Sequence, residues 1–408
     1  MSDVLARHRS TTSSPGPACL SGEDDGSAVG ARIESALALF LDAEERAGAA
    51  GGAVPEQPAS VLREFIGSGR KRVRPLLCAL GRRAAGGSGP SGPVVGVAAA
   101  LEMFRVVASV HDDLMDGSAT RRGRPAVHRQ PAESLGAGLP RDRAERLGES
   151  AAILAGDLAL TWPDELLHTS LTWSDELLHT SLTWPDELLH TSLTPDRLAA
   201  VLPLVGAMRA EPAHGQYLDV TAAGRREGGV PLTLRIARYK TATYPVELPP
   251  HIDAALAGAL AALLLEGLSA YAVPTGEAFQ LRVELPGAFG DPDRTGTSAW
   301  EDLRDGEHTP LVALARERAT PAQADDLETL PGPPALDEDG VRRRRRVLID
   351  SGAHAKVEHL IGRRRVALRH ALAERRAQDL DVLDAMALPR PVAEEPARLT
   401  HRATARRY

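Results

Sequence analysis

Residues Val94 to Asp116 read VVGVAAALEMFRVVASVHDDLMD, and this stretch decides the fold class. Its apolar residues recur at three- and four-residue spacing without strand-like alternation, so it has the period of a helix. Until His111 it is apolar almost all round, which suits a helix packed among other helices and not a solvated one. It then ends on three carboxylates, Asp112, Asp113 and Asp116.

The same period recurs in ARIESALALFLDAEERA from Ala31, LRIARYKTATY from Leu234, IDAALAGALAALLLEGLSAYA from Ile252 and AKVEHLIGRRRVALRHALAERRA from Ala355. No sustained apolar alternation with hairpin turns interrupts it, so the expected fold is all-α. Aromatics are only 3% of the chain, which leaves Leu, Ala and Val to build the core and again favours packed helices. Ser, Gly, Pro and Asp dominate residues 1–30, and residues 380–408 are similarly poor in apolar periodicity. Both compositions read as disordered, leaving one large domain over 31–379.

Composition also narrows the function. No run of apolar residues reaches the ~18 that a membrane span needs, and MSDVLARHRSTTSSPGPACL lacks a signal-like segment. The expectation is a cytoplasmic protein without a membrane span. The two cysteines, Cys19 and Cys78, suit neither a disulfide framework nor a zinc site. A formal net charge of -7 argues against general nucleic-acid affinity, so a polyanion would have to meet a local basic patch.

From Thr161 the chain reads TWPDELLHTSL, TWSDELLHTSL and TWPDELLHTSL, three copies that differ only at Ser174. Eleven residues advance about three helical turns with ~20° of drift, so an added copy nearly preserves the facing of a helix. Alternatively, each Thr caps a short helix with Pro in its first turn. The expectation is a tolerated surface insertion over 161–193, with Trp162, Trp173 and Trp184 packed among themselves or against a neighbouring subunit.

Asp112 and Asp116 stand four apart and share a helix face, with Asp113 one step round. Like charges so placed repel unless a cation lies between them, and hard oxygen ligands suit Mg²⁺ bridging to substrate phosphates. Downstream, Arg121 and Arg122 offer guanidinium forks that match phosphate oxygens, with Gly123 and Pro125 marking a turn. Upstream, GSGRKRVRP at Gly67 to Pro75 sets Lys71, Arg72 and Arg74 beside glycines. Any of these alone is more often surface charge than a site; together they suggest two anion sites flanking a metal site. VRRRRRV from Val341 is either an anion patch or a solvated helix face. His111 is either a ligand or a histidine satisfied by a partner behind the site.

These motifs resemble those of the trans-isoprenyl diphosphate synthases, the polyprenyl synthetase family, and within it the bacterial geranylgeranyl diphosphate synthases. KRVRP is similar to the family's first basic motif and DDLMDGSATRRG to its first aspartate-rich motif, while LAGDLAL, GQYLD, YKTATY and FQLR follow in family order. The resemblance implies an isoprenoid-synthase helical bundle around a central cavity, forming a homodimer. It implies that Lys71, Arg74 and Arg122 bind isopentenyl diphosphate, and that Asp112, Asp113 and Asp116 hold Mg²⁺ against an allylic diphosphate gripped by Arg121. Gln216, Lys240, Thr241 and Gln280 would complete the diphosphate and allyl-chain contacts. Asp112, Asp113, Arg121 and Lys240 would be the catalytic set. Arg105 stands where the family usually has the His or Gln that contacts isopentenyl diphosphate.

The second aspartate-rich motif departs from the pattern. FQLRVELPGAFGDP puts Val283 and Glu284 where two aspartates are expected, with Asp291 farther on, and Thr297 and Glu307 replace expected lysines. Three readings stay open: a slow or compensated synthase, a non-catalytic regulatory partner of a synthase, and a terpene cyclase on the same scaffold. By the resemblance, the non-aromatic Val107 and Ala108 below the aspartates imply room for a product longer than farnesyl, hence geranylgeranyl diphosphate for carotenoid or other terpenoid synthesis.

Overall fold

The structure, a computed structural model, describes residues 22–50, 58–67, 77–78, 81–82, 84–86, 92–121, 124–134, 136–172, 194–222, 229–259, 262–290, 309–329 and 338–376. It is an assembly of helices, as the periodicity predicts. The first is α1 (Gly22–Ala50), followed by α2 (Pro58–Gly67), α3 (Gly92–Met115), α4 (Arg129–Ser134), α5 (Arg141–Thr172) and α6 (Pro195–Ala222). Then come α7 (Gly229–Ala237), a π-helical stretch (Arg238–Glu247), α8 (Leu248–Leu256) and α9 (Ala262–Phe289). The remaining helices are α10 (Pro310–Arg318), α11 (Pro321–Thr329), α12 (Glu338–Asp350) and α13 (Ala353–Arg376). Helix α1 starts at Gly22, inside the 1–30 stretch whose composition reads as disordered.

Helix α3 is the spine. Val94, Val95, Val97, Ala98, Leu101, Met103, Val106 and Val110 are buried on several of its faces, against Ile33, Leu37 and Leu41 of α1, Ala152, Ala155 and Ala159 of α5, and Ile252 of α8. Its segment Val94–Met115 is long and apolar enough to cross a membrane, with a mean hydropathy of 1.6, which interrupted apolar runs conceal in the bare sequence. Within its most apolar window 78% is buried inside the protein, so that apolarity serves the core. A second core joins Leu281 and Leu285 of α9 to Leu311, Leu314, Val347, Val357 and Ile361 of α10, α12 and α13.

The first repeat copy is not a surface insertion. It forms the last turns of α5, where Trp162, Leu166 and Leu167 are buried in the main core. Trp162 meets Phe40 edge to face at 5.8 Å, and Asp164 pairs with Arg209 of α6, whose guanidinium lies 5.5 Å over the Phe104 ring. Its facing explains why: Trp162, Leu166 and Leu167 share one side of the helix with Ala155 and Ala159, so the core stripe of α5 runs straight into the repeat. The second and third copies, with Trp173 and Trp184, lie outside the described residues, as do the expected tail 380–408 and residues 1–21 of the leader.

Pro245 within the π-helical stretch has no N–H to donate, so the ladder lacks one hydrogen bond there. Glycines from two helices then close on it. A Cβ on Gly215 of α6 would sit 2.9 Å from Tyr239 Cβ, and one on Gly276 of α9 would sit 2.4 Å from Ala242 Cα. The stretch that carries Lys240 and Thr241 is therefore clamped between two backbones.

Candidate active site

Helix α3 ends by turning on Gly117, whose φ is +65°, while the Ser118 N–H donates to the Asp113 carbonyl at 2.9 Å. This is the left-handed turn with which helices commonly terminate. It leaves Asp112, Asp113 and Asp116 at the negative end of the helix dipole, where carboxylates are disfavoured. Cations must offset that arrangement, and two elements supply them.

The first is a hairpin of two short strands, β1 (Thr120–Arg121) and β2 (Arg124–Pro125), paired antiparallel. It is the one departure from all-helical structure among the described residues, and it folds Arg121 back onto the end of α3. Arg121 Nε donates to both oxygens of Asp113, at 2.6 and 2.7 Å, and Nη2 reaches Asp112 Oδ2 at 3.5 Å. Asp113 is only 1% exposed. Burial pushes its carboxyl above the usual range; the Arg121 charge and hydrogen bond oppose that rise and Asp112 adds to it.

The second is the π-helical stretch. Lys240 Nζ lies 2.7 Å from Asp219 Oδ2 on α6 and 3.4 Å from Asp112 Oδ1. Beside it, the Thr241 hydroxyl donates to Gln280 Oε1 of α9 at 2.6 Å, and Gln280 Nε2 donates to Glu284 Oε1 at 3.4 Å. Gln216 Nε2 approaches Met115 Sδ at 3.9 Å. Five of the expected residues, Asp112, Asp113, Arg121, Lys240 and Gln216, thus converge on the end of α3, with Thr241 and Gln280 adjoining through the π-helical stretch.

Arg105 is held otherwise. Its Nε donates to Glu102 Oε2 at 3.1 Å, and its buried Nη2 has no hydrogen-bond partner among the described residues. Lys71, Arg74, Arg122, Asp291, Thr297 and Glu307 lie outside the described residues. In the second motif, Glu284 is buried and directed to Gln280, whereas Val283 is 49% exposed. His111 packs on Gly156, where a Cβ would fall 2.1 Å from its Nε2, and its ring is 3.9 Å from Asp157.

A metal fits this set unevenly. Among the described residues no three acidic, histidine or cysteine side chains are gathered as a ready metal cage. Asp113 gives both oxygens to Arg121. Among the described residues Asp112 meets cations only through long contacts of 3.4 and 3.5 Å, and its side chain is 30% exposed, so its oxygens are the ones able to turn toward a hard cation. Asp116, one turn on, lies on the same side. Sequence reasoning missed Asp219. Its signal was the terminal Asp of GQYLD, four residues after Gly215 and hence on the face that meets the π-helical stretch.

Comparison with known proteins bears on this geometry. The family profile described as polyprenyl synthetase matches residues 56–344. A geranylfarnesyl diphosphate synthase of Aeropyrum pernix is 27% identical over 299 residues, covering 73% of this chain and 81% of that protein. A geranylgeranyl diphosphate synthase of Methanosarcina mazei is 26% identical over 264 residues, covering 65% and 69%. The crystal structure of a geranylgeranyl pyrophosphate synthase from Corynebacterium glutamicum, complexed with isoprenyl diphosphate and magnesium, superposes with a TM-score of 0.75 at 31% identity, covering 95% of this chain and 100% of that one.

Proposed function

The chain belongs to the polyprenyl synthetase family, and we propose that it is a trans-prenyltransferase that condenses isopentenyl diphosphate with an allylic diphosphate. The observation that carries this reading is Asp112 set between Arg121 and Lys240 at the end of an apolar helix. Carboxylates able to turn toward a metal, beside cations able to grip phosphate, suit a diphosphate leaving group.

In this reading Arg121 and Lys240 bind the allylic diphosphate, and Thr241 and Gln280 line the start of its chain. Lys71, Arg74, Arg105 and Arg122 take isopentenyl diphosphate. Asp112 and Asp116, with Asp113 behind them, would hold Mg²⁺, which when bound neutralises the diphosphate and favours its departure. The allylic C–O bond breaks with its electron pair leaving on the diphosphate. The isopentenyl double bond then forms the new C–C bond, and a proton passes to the released diphosphate. Apolar side chains of α3 would keep water from the cation.

Ala108, four residues below Asp112 and on its face, is exposed although α3 is otherwise largely buried, which supports accessible space below the carboxylates. With no aromatic at Val107 or Ala108, we assign geranylgeranyl diphosphate as product, for carotenoid or other terpenoid synthesis in the cytoplasm. Helix α5 leaves Ile153, Leu154, Leu158 and Leu160 37–61% exposed, and we assign this apolar face to a homodimer contact.

Val283 favours a second reading, a regulatory subunit, because an exposed valine supplies no metal ligand where an aspartate is expected. The deciding experiment incubates purified protein with Mg²⁺, labelled isopentenyl diphosphate and C5, C10 or C15 allylic diphosphates separately. Chain elongation supports the synthase. A hydrocarbon or alcohol from the allylic substrate alone identifies a cyclase, and activity seen only with a partner synthase identifies a regulatory subunit.

A further inference from the structure

Asp113, Arg121, Asp112, Lys240 and Asp219 form a chain of alternating charge. Its contacts are short at both ends, 2.6 Å from Asp113 to Arg121 and 2.7 Å from Lys240 to Asp219. They are long in the middle, 3.5 and 3.4 Å on the two oxygens of Asp112. The outer carboxylates hold the cations and the central one is only loosely engaged. We propose that Asp219 is a positioning residue that anchors the Lys240 ammonium beside a diphosphate-binding site, as Asp113 anchors Arg121, so that both cations keep their places when Asp112 turns away to other partners.

The physical need is plain. A lysine is a compact charge on a flexible four-carbon stem. Tethered only to Asp112, its ammonium would follow that carboxylate. Tethered to Asp219, it is held from the opposite side. Helix α6 is built for this: Gly215 lets the π-helical stretch approach until a Cβ would lie 3.0 Å from Lys240 Cγ, and Asp219 stands one helical turn later on the same face. The glycine brings the stem in and the aspartate fixes its tip. Lys240 and Asp219 remain 29% and 25% exposed in their side chains, so the pair borders accessible space and is not sealed in the core.

This inference rests on the prenyltransferase reading for its substrate, and its test separates the two. The probe is inorganic diphosphate with MgCl₂, titrated by calorimetry into the full chain as wild type, D219N, D219E, K240A and K240A/D219N, each checked by thermal melting. The expected result is about tenfold weaker binding in D219N, within the worth of a charge-assisted hydrogen bond. D219E should recover most of that loss, and D219N should add no more than about twofold to the loss in K240A, because both remove one interaction. In turnover, D219N should raise KM for the allylic diphosphate and leave KM for isopentenyl diphosphate in place. Wild-type affinity in a folded D219N, full additivity in the double variant, or no diphosphate binding by the wild type would overturn the proposal. If D219N does not fold, a folded D219E that binds as weakly as K240A overturns it, and near-wild-type binding by D219E supports it. A wild type that binds diphosphate yet elongates no allylic partner refutes the prenyltransferase reading alone, and the calorimetric ratios still decide the anchor.

Discussion

Asp253 on α8 carries a stability cost that a single substitution should remove. Its carboxyl is 0% exposed, and among the described residues neither oxygen makes a hydrogen bond of good geometry. Burial pushes its pKa from 3.8 up to about 8; the Arg82 charge and backbone N–H, brought close where Gly81 packs on Pro250, only partly oppose this. The folded protein therefore keeps a proton that the unfolded chain releases above pH 3.8, so folding stability falls as pH rises from there to about 8 and then levels. Roughly four pKa units correspond to a ceiling of ~6 kcal/mol for ionising the carboxyl in the fold. Asp253→Asn keeps the shape and removes the charge. His128 and His251, whose ring pKa values burial lowers, act in the opposite sense, their cost disappearing as pH rises through 6.5. The interval from pH 7 to 8 is therefore the cleanest. Urea unfolding there should show the wild type losing about 1 kcal/mol per pH unit, the variant losing almost none, and the variant the more stable at pH 8. Equal pH slopes in the two proteins, or a less stable variant at pH 8, would refute the reasoning.

Trp162→Ala should cost ~3–5 kcal/mol in urea unfolding, as loss of a large buried aromatic does; a loss below ~1 kcal/mol would mean that the first repeat copy is not core. Deleting residues 172–193, the second and third copies, should leave the melting temperature within about 4 °C, since Trp162, Leu166 and Leu167 stay in place. Gly276→Ala, whose Cβ would meet Ala242 Cα at 2.4 Å, should destabilise by ~1–3 kcal/mol and raise KM for the allylic substrate by shifting Thr241. The double change Val283→Asp, Glu284→Asp should raise kcat by roughly tenfold or more if the second acidic pair limits turnover, and unchanged kcat in a folded variant would place the limit elsewhere.

Much of this molecule was legible before any coordinate. The 3–4 apolar period predicted the helices, because that period follows from helix geometry whatever the neighbours. The spacing of Asp112, Asp113 and Asp116 placed them on one side of α3 for the same reason. The place of the first copy was misjudged because near-identical copies carry no mark of which one faces the core; the continuation of the Ala155 and Ala159 stripe into Trp162 was the available clue. The hairpin was overlooked because two-residue strands have no measurable periodicity. Glu284 and Val283, adjacent in sequence, part company in space, since neighbouring helix positions diverge by about 100°.

By itself the sequence determined the helical class, the position of the acidic cluster at the end of an apolar helix, and the supply of basic and amide side chains. Those are local properties, set by period, residue chemistry and chain punctuation. Only the tertiary structure decided that Arg121 closes on Asp113, that Asp112 is gripped weakly from both sides, and that Asp219 holds Lys240. Those pairings join residues as far as 128 positions apart, and their distances depend on how closely glycines let one backbone approach another, which no local pattern records.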